Sequence, residues 1–517
     1  MRERIEQAIK KALPDVAFVV ERPRALEHGD YSTNAALVGK VDPNELSSKL
    51  RSLLSSNEVE KIEVVGKFIN FFLSREELTP KEQKIPQLYA GKKIMVEYTD
   101  PNPFKEFHIG HLVGNVIGES LARLFEISGA AVSRANYQGD VGVHVAKAIW
   151  GKMQKPKLSW GKAYTYGDSQ YEAHKEEIDT LNKIIYDKSD AAVQALYDEG
   201  RAQSLEHFEE IYKALGTKFV YYFFESETGP KGVEIVRKHP EVFEESEGAV
   251  VFKGEQYGLH TRVFINSKGL PTYEAKELGL AEVKQEKGQF DMSLTVTAHE
   301  ISEYFKVVRK SAELVFPNLE GRMLARFHGF LRLTSGKMSS RKGNVITGES
   351  LLHDLTEEAR GRQDVAVGAI KYVLLKSGSG KDIIFDPEKS LSLEGDSGPY
   401  LQYAHARAHQ VVEKAKEQNI TSIYGREAVP YMEPRDTVAR LLIRFPDIVA
   451  RAAENLEPQL IANYLVGFAG AFNSWYAQEH ILDGTSAAEH KVALVDAARV
   501  TLKNGLWLLG IPAPERM

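Results

Sequence analysis

Stretches whose apolar residues recur every three or four positions alternate along this chain with short runs that are apolar throughout. Residues 2–13 and 43–55 carry helical spacing, while 16–20 and 64–73 read as strands, so residues 1–88 are expected to form a small mixed domain. A polar connector containing Pro80 and Pro86 closes it. Lys93-Ile-Met-Val-Glu-Tyr98 is then a strand of the buried kind, followed by the turn Asp100-Pro-Asn-Pro103 and a helix beginning near His108. Strand, turn and glycine-lined helix open a nucleotide-binding α/β sheet. Residues 150–260 read as an insertion between two halves of that sheet, with charge-rich helices over 169–186 and 189–214. Strands are expected again at 261–265 and 292–296, and the α/β unit spans 89–362. Residues 363–517 are almost wholly helical, with amphipathic runs at 401–417, 436–454, 457–478 and 486–509. The expectation is a multidomain α/β chain ending in a helical bundle.

Composition narrows the class of molecule. The 517 residues are 27% charged and 43% hydrophobic, ordinary values for a globular chain with real cores. The net charge of −6 gives no global basic field, so any nucleic-acid contact has to come from local patches. There is no cysteine, which excludes disulfides, thiolate zinc sites and a cysteine nucleophile and fits a reducing compartment. Residues 1–13 lack the apolar core of a signal peptide, and no apolar run approaches the ~18–20 residues that span a bilayer. A soluble, cytoplasmic chain without membrane attachment is expected.

Two segments carry candidate chemistry. His108 and His111 flank Gly110 at a helix start, and Gly110, Gly114 and Gly118 share one face. Imidazoles there can donate to phosphate oxygens, the helix N-terminus favours negative charge, and glycine lets an adenine lie flat on the backbone. Close packing of the helix on a sheet would call for the same glycines. Far downstream, Thr334-Ser-Gly-Lys-Met-Ser-Ser-Arg-Lys-Gly-Asn344 is a glycine-flanked loop whose Lys337, Arg341 and Lys342 suit a polyphosphate.

In this order the two segments resemble the HIGH and KMSKS elements of class I aminoacyl-tRNA synthetases, and across nearly the whole chain the resemblance is to the arginyl-tRNA synthetase family. Further blocks carry it: Arg24 to Asn34 with Gly66 to Phe72, Asn136-Tyr-Gln-Gly-Asp-Val-Gly142, Gly395 to Arg407, and the ending Leu506 to Met517. The resemblance implies a Rossmann-type catalytic domain with an insertion, a small N-terminal α+β domain touching the tRNA elbow, and a C-terminal all-α anticodon-binding bundle. It implies ATP-dependent ligation of L-arginine to the 3′ end of tRNA(Arg) through an arginyl-adenylate, with Mg2+ as the counter-ion of ATP, by a monomer. By resemblance His108 and His111 hold the ATP phosphates, Gly110 admits the adenine, Phe330 and Met338 line its pocket, and Lys337 stabilises the departing pyrophosphate. The arginine pocket is expected from Glu97, Asn102, Tyr273, Glu277 and Glu300, and the anticodon contacts from Tyr400, Gln402, Tyr403 and Arg407.

The chain departs from the family pattern in three places. Ser340 stands where the second KMSKS lysine is usual, and Lys105, three residues ahead of His108, is expected to supply that charge. Glu277 is one methylene longer than the usual aspartate. Thr297-Ala-His-Glu-Ile301 places His299 and Glu300 where a glutamine is more usual. These departures leave open a catalytically degenerate tRNA-binding paralogue. A class I lysine enzyme stays possible on charge alone, whereas a small nucleotidyltransferase would have no use for the flanking domains.

Overall fold

The computed structural model describes every residue except 24, 80–82, 335–346, 379, 423–434 and 486. Five parallel strands make the central sheet: β1 (Lys93–Glu97), β2 (Ala131–Gln138), β3 (Tyr221–Phe224), β4 (Met292–Ala298) and β5 (Met323–His328). Their spatial order is β5-β4-β1-β2-β3. Winding runs outward from β1 and then reverses at β4, and such sheets open a ligand crevice beyond the strand ends at that reversal. β1 is central and buried from Ile94 to Glu97, which accounts for its unbroken apolar run.

Helix α1 (Ile109–Ile127) crosses from β1 to β2, and all residues from His111 to Ala122 are buried. It is enclosed because the sheet lies on one side and C-terminal helices on the other. The insertion expected over 150–260 divides in two. Helices, the last being α2 (Ala191–Leu215), fill the first part, but β3 then joins the central sheet. The strand Arg262–Ile265, expected to resume that sheet, instead pairs antiparallel with Ala249–Phe252 in a separate three-stranded sheet. Helices α3 (Glu225–Lys238), α4 (Tyr273–Lys287) and α5 (Ser302–Val315) complete the α/β unit.

The N-terminal domain is a four-stranded antiparallel sheet with two longer helices, Arg2–Ala12 and Pro43–Leu53. The strand expected at 64–73 is the second arm of a hairpin, Val59–Val65 with Phe68–Leu73, turning at Gly66 with φ +61°. Beyond the central sheet come α6 (Gly348–Glu358), α7 (Gln363–Leu375) and α8 (Gly398–Glu417). The single helix expected over 436–454 is two, Arg435–Leu442 and Phe445–Glu454, with Pro446 in the first turn of the second. A short parallel pair, Leu331–Leu333 with Ile383–Phe385, has no counterpart among the expected strands.

Candidate active site

The chain leaves β1 through a strained turn. Thr99, Asp100 and Phe104 all have left-handed backbone, with φ of +83°, +48° and +72°. A β-branched residue avoids this region, so Thr99 has to be held there. Asn115 of α1 donates its amide to Thr99 Oγ1 at 3.0 Å, and Tyr137 N donates to Asp100 Oδ1 at 2.8 Å. Phe104 is fully buried against Trp160, and its N–H donates to Ser204 Oγ at 2.9 Å.

Helix α1 starts with a capping box made of imidazoles. Gly110 N donates to His108 Nδ1 at 3.1 Å, and His108 N donates to His111 Nδ1 at 3.3 Å. Such reciprocal capping satisfies two orphan backbone donors. The rings stack with centroids 3.4 Å apart. Burial first, and then the charge of Lys105, lowers the pKa of His108. Burial, His108 and Lys105 hold His111 well below the ordinary value. Both rings are therefore neutral near pH 7, and with Nδ1 accepting, the proton sits on Nε2. Each histidine thus keeps one outward donor. His108 is exposed and His111 mostly buried, so His108 offers its donor to solvent more openly.

The three glycines do different work. A Cβ on Gly118 would overlap the ring of buried Tyr98, so this glycine serves packing. A Cβ on Gly114 would lie 3.5 Å from Thr99 N and 3.9 Å from His328 Nε2, ordinary contacts. On Gly110 it would meet only the His108 ring, at 3.0 Å. Phe330 follows His328 and Gly329 past the end of β5 and is 50% exposed, its N–H donating to Asp382 Oδ1 at 3.1 Å.

Lys105 lies beside this pair. Its ammonium sits 4.8 Å above the Tyr164 ring, and burial lowers its pKa. Lys337, Met338, Ser340, Arg341 and Lys342 fall outside the described residues. The residue that follows that stretch, Thr347, forms a backbone bridge with His108, and Gly348 N donates to Phe107 O at 2.8 Å. The distant loop therefore rejoins described chain at the histidine pair.

Beyond the ends of β1 and β2 lies an acidic floor. Glu97 is 1% exposed and pairs with Lys284 Nζ at 2.7 Å, while Thr295 Oγ1 donates to its other oxygen at 3.2 Å. The carboxylate expected to meet arginine thus already has a cation. Glu225 is likewise paired with Lys276 at 2.5 Å. Glu277 is half-buried, and burial followed by the charge of Glu97 pushes its pKa up to about 8. The same causes, in the same order, hold Asp100 well above the usual carboxylate range. Asn102 Oδ1 occupies the space that a Cβ on Gly139 would need, which brings it against the end of β2. Tyr304 of α5 and Tyr137 of β2 feel Glu277, and burial with that charge raises both phenols. Tyr273 begins α4 67% exposed, and Glu300 is exposed in the single turn His299–Ile301. Neither is drawn into the floor.

Sequence reasoning passed over Asp100, Lys284, Tyr304 and Gln138. Asp100 before proline reads as a turn residue, and Lys284 reads as a surface lysine. Gln138 had one signal, its place beside Tyr137 at a strand end. It is fully buried, and neither amide atom has a hydrogen-bond partner among the described residues.

In the helical bundle, Arg407 donates to Asn473 Oδ1 at 2.7 Å and to Tyr403 Oη at 3.0 Å. Its guanidinium lies between the Tyr403 and Tyr476 rings, 4.7 and 4.8 Å from their centroids. All three line a cleft of about 1160 Å³ that also holds Lys414 and Arg516. Tyr400 is half-buried one turn earlier. Gln402 is a correction: it is fully buried and donates to Asp364 O and Pro512 O, so it ties the chain end to α7 and is not presented to RNA. The polar residue lies on the inner face of α8, which spacing alone did not separate from the outer one.

A parallel sheet of this winding, a histidine-capped helix after its first strand and an appended aromatic-basic bundle define a class I aminoacyl-tRNA synthetase. Family matches cover the chain in three pieces: Arginyl tRNA synthetase N terminal domain over 1–73, tRNA synthetases class I (R), catalytic domain over 75–371, and DALR anticodon binding domain over 401–517. The chain is 30% identical to an arginine–tRNA ligase of Streptococcus mutans, covering 96% of both chains. It is 29% identical to one of Clostridium acetobutylicum, covering 100% of this chain and 99% of that protein. The solved arginyl-tRNA synthetase of Thermus thermophilus superposes with a TM-score of 0.82 at 25% identity, covering 100% and 99% of the two chains. The chain belongs to the arginyl-tRNA synthetase family.

Proposed function

We propose that the acidic floor, the histidine pair and Lys105 together carry out the arginylation of tRNA. The arginine carboxylate attacks the α-phosphate of ATP and pyrophosphate leaves. A hydroxyl of the tRNA 3′ terminus then attacks the arginyl carbonyl and AMP leaves. Neither step needs a protein nucleophile, so catalysis is positioning and charge stabilisation. His108 donates Nε2–H to a phosphate oxygen, and His111 braces it through stacking and the cap. Gly110 admits the adenine, with Phe330 and Met338 at its edge. Lys105 and Lys337 neutralise the departing pyrophosphate. Mg2+ enters with the triphosphate, whose oxygens supply its ligands.

Glu277 faces the guanidinium, Glu97 backs it through Lys284, and Asn102 orders the polar rim. Tyr273 and Glu300 close over bound arginine from the exposed side. Tyr403, Arg407 and Tyr400 meet anticodon bases in the bundle cleft, where stacking platforms and cations converge. The exposed Val65 and Phe68 at the N-terminal hairpin meet the elbow. The protein acts as a cytoplasmic monomer. No described helix is long and apolar enough to cross a membrane. The degenerate paralogue has no support in the comparisons.

The observation that carries the amino-acid assignment is Glu277, a half-buried carboxylate in a floor whose lysines are engaged elsewhere. Pyrophosphate exchange measured with each amino acid, with and without tRNA, tests it. Exchange with arginine alone is expected. Folded protein giving none with arginine under either condition overturns the reading.

A further inference from the structure

A further basic cleft lies at the edge of the central sheet. β5 stands at the end of the strand order, and a cavity of about 580 Å³ opens between it, α5 and the single turn Glu255–Tyr257. Adjacent residues of a strand face opposite sides of the sheet. His328 looks toward α1, since its Nε2 lies 3.9 Å from where a Cβ on Gly114 would sit. Phe327 therefore faces the other way, and its ring meets Phe305 of α5 with centroids 6.1 Å apart. No residue assigned above to ATP, arginine or the anticodon lines this cleft.

Its lining carries three cations against one carboxylate, in a chain whose net charge is −6. Lys306, Arg309 and Lys310 are spaced three and four apart, so one face of α5 presents all of them. Lys306 pairs with Glu303 at 2.6 Å and Arg309 with Glu313 at 3.7 Å, but both cations are about half exposed. Exposed pairs of this kind yield readily to a stronger anion. Lys310 has no carboxylate partner among the described residues, and its ammonium lies 4.8 Å from the centroid of the Tyr257 ring. That ring is 39% exposed and stacks on buried Phe252, with centroids 5.9 Å apart and planes within 5°, so a core side chain fixes its plane.

Cations beside a braced aromatic face suit a base and its phosphate. We propose that this cleft is a nucleotide site outside the catalytic crevice, seating a base against Tyr257 and phosphate on Lys310, Arg309 and Lys306. A bare anion would gain nothing from the apolar wall of Phe305, Leu324 and Phe327, and an apolar ligand nothing from the cations. The cavity is larger than a phosphate needs and falls within the range of ligand sites, about 300–1,000 Å³. The phosphorylated nucleoside has two sources here, a strand of bound tRNA or a free nucleotide. For the RNA the cleft is a local basic patch of the kind a chain of net negative charge requires.

Competitive acetylation of the full chain, followed by mass spectrometry, reads Lys306 and Lys310 directly. A saturating tRNA(Arg) transcript, or ATP or AMP at millimolar concentration, is expected to slow modification of both lysines at least about five-fold. The ligand that does so names the source, and protection by none of them overturns the proposal. Lys310→Gln and Tyr257→Leu are then compared, with Lys306 protection reporting the Kd of the protecting ligand. Each is expected to raise that Kd about five-fold or more. If the ligand is tRNA, Lys310→Gln should also reduce the salt slope by about one phosphate contact. A Kd unchanged by Tyr257→Leu marks a plain anion surface and overturns the nucleotide assignment. In pyrophosphate exchange both variants should keep their arginine and ATP KM within about two-fold of wild type, because the cleft stands apart from the crevice. A larger rise in either overturns that separation.

Discussion

His108 and His111 each give one ring nitrogen to the backbone, so the proposed phosphate contacts and the helix cap would share the same side chains. Changing His108 to alanine removes a cap and a donor together, whereas His108→Asn keeps the cap, asparagine being a strong N-cap residue. His108→Asn is expected to melt within a few degrees of wild type while adenylate formation falls about 100-fold, the usual scale for losing an oriented donor to developing charge. Lys105 reaches the pair only through its field, so Lys105→Ala leaves the cap intact. Pyrophosphate exchange in that variant is expected to fall at least about 30-fold. A rate within a few-fold of wild type would remove Lys105 from the chemistry. Glu277 gives the site a pH dependence. Its pKa is raised from 4.5 to about 8, so below about 8 it is mainly protonated and a poor partner for a cation. Affinity for arginine should therefore rise as pH climbs from 6 to about 8 and then level. The free fold has the opposite sign: between 4.5 and about 8 it holds a proton the unfolded chain has lost, so this group's contribution to stability falls as pH rises. Thermal shift by saturating arginine should be larger at pH 8 than at pH 6.

At the scale of elements, α1 puts three glycines on one face for different reasons, and substitution separates them. Gly118→Ala drives a methyl into the Tyr98 ring and is expected to cost about 1–3 kcal/mol of stability, the range for overpacking a core. Gly110→Ala meets only the neighbouring His108 ring, so its melting temperature should hold while its ATP KM rises. Equal loss of stability in both would reduce the whole face to packing. Periodicity made α1 and β1 legible, because continuous burial leaves an unbroken apolar signature. It misplaced the third core strand. Tyr221-Tyr-Phe-Phe224 is a four-residue apolar run, too short to tell from a helical fragment, and its one neighbour in the sheet, β2, lies far away in sequence. The histidine pair and Glu277 stand out by motif, and the structure sets the pair at a helix cap and Glu277 close to Glu97. Lys284 does not stand out, since a lysine that salt-bridges a buried glutamate nearly 190 residues away looks like any other lysine on α4. Gln402 failed for the converse reason, a polar residue whose partners are buried carbonyls.

At the scale of the molecule, the N-terminal domain is fastened to the bundle by arginines and not by an apolar seam alone. Arg440 donates to Asp30 Oδ1 at 2.9 Å and to Leu26 O, Arg444 donates to Pro23 O and Gly29 O, and Arg22 donates to Asp447 at 2.7 Å and to Ile443 O. Asp30 is 1% exposed, and its other oxygen accepts Leu73 N–H from the N-terminal sheet. One carboxylate therefore joins a loop, a strand and a helix of the bundle. Arg444 also feels Asp30, so removing Arg440 leaves the buried carboxylate with only a more distant cation, which costs up to about 3–5 kcal/mol, more than a surface pair. Arg440→Met should accordingly lower the melting temperature by several degrees or split the transition in two. Asp30→Asn with Arg440→Met removes both charges and should recover much of that loss. The functional consequence follows from distance. The hairpin and the cleft proposed above to meet tRNA sit on the two domains this clamp joins, so on that proposal their separation is set before tRNA arrives. In Arg440→Met the tRNA KM should rise several-fold, while arginine and ATP KM, set in the central sheet, stay within about two-fold. A variant that loses stability but keeps its tRNA KM would show the clamp to be structural only, with the two RNA contacts aligned by the tRNA itself.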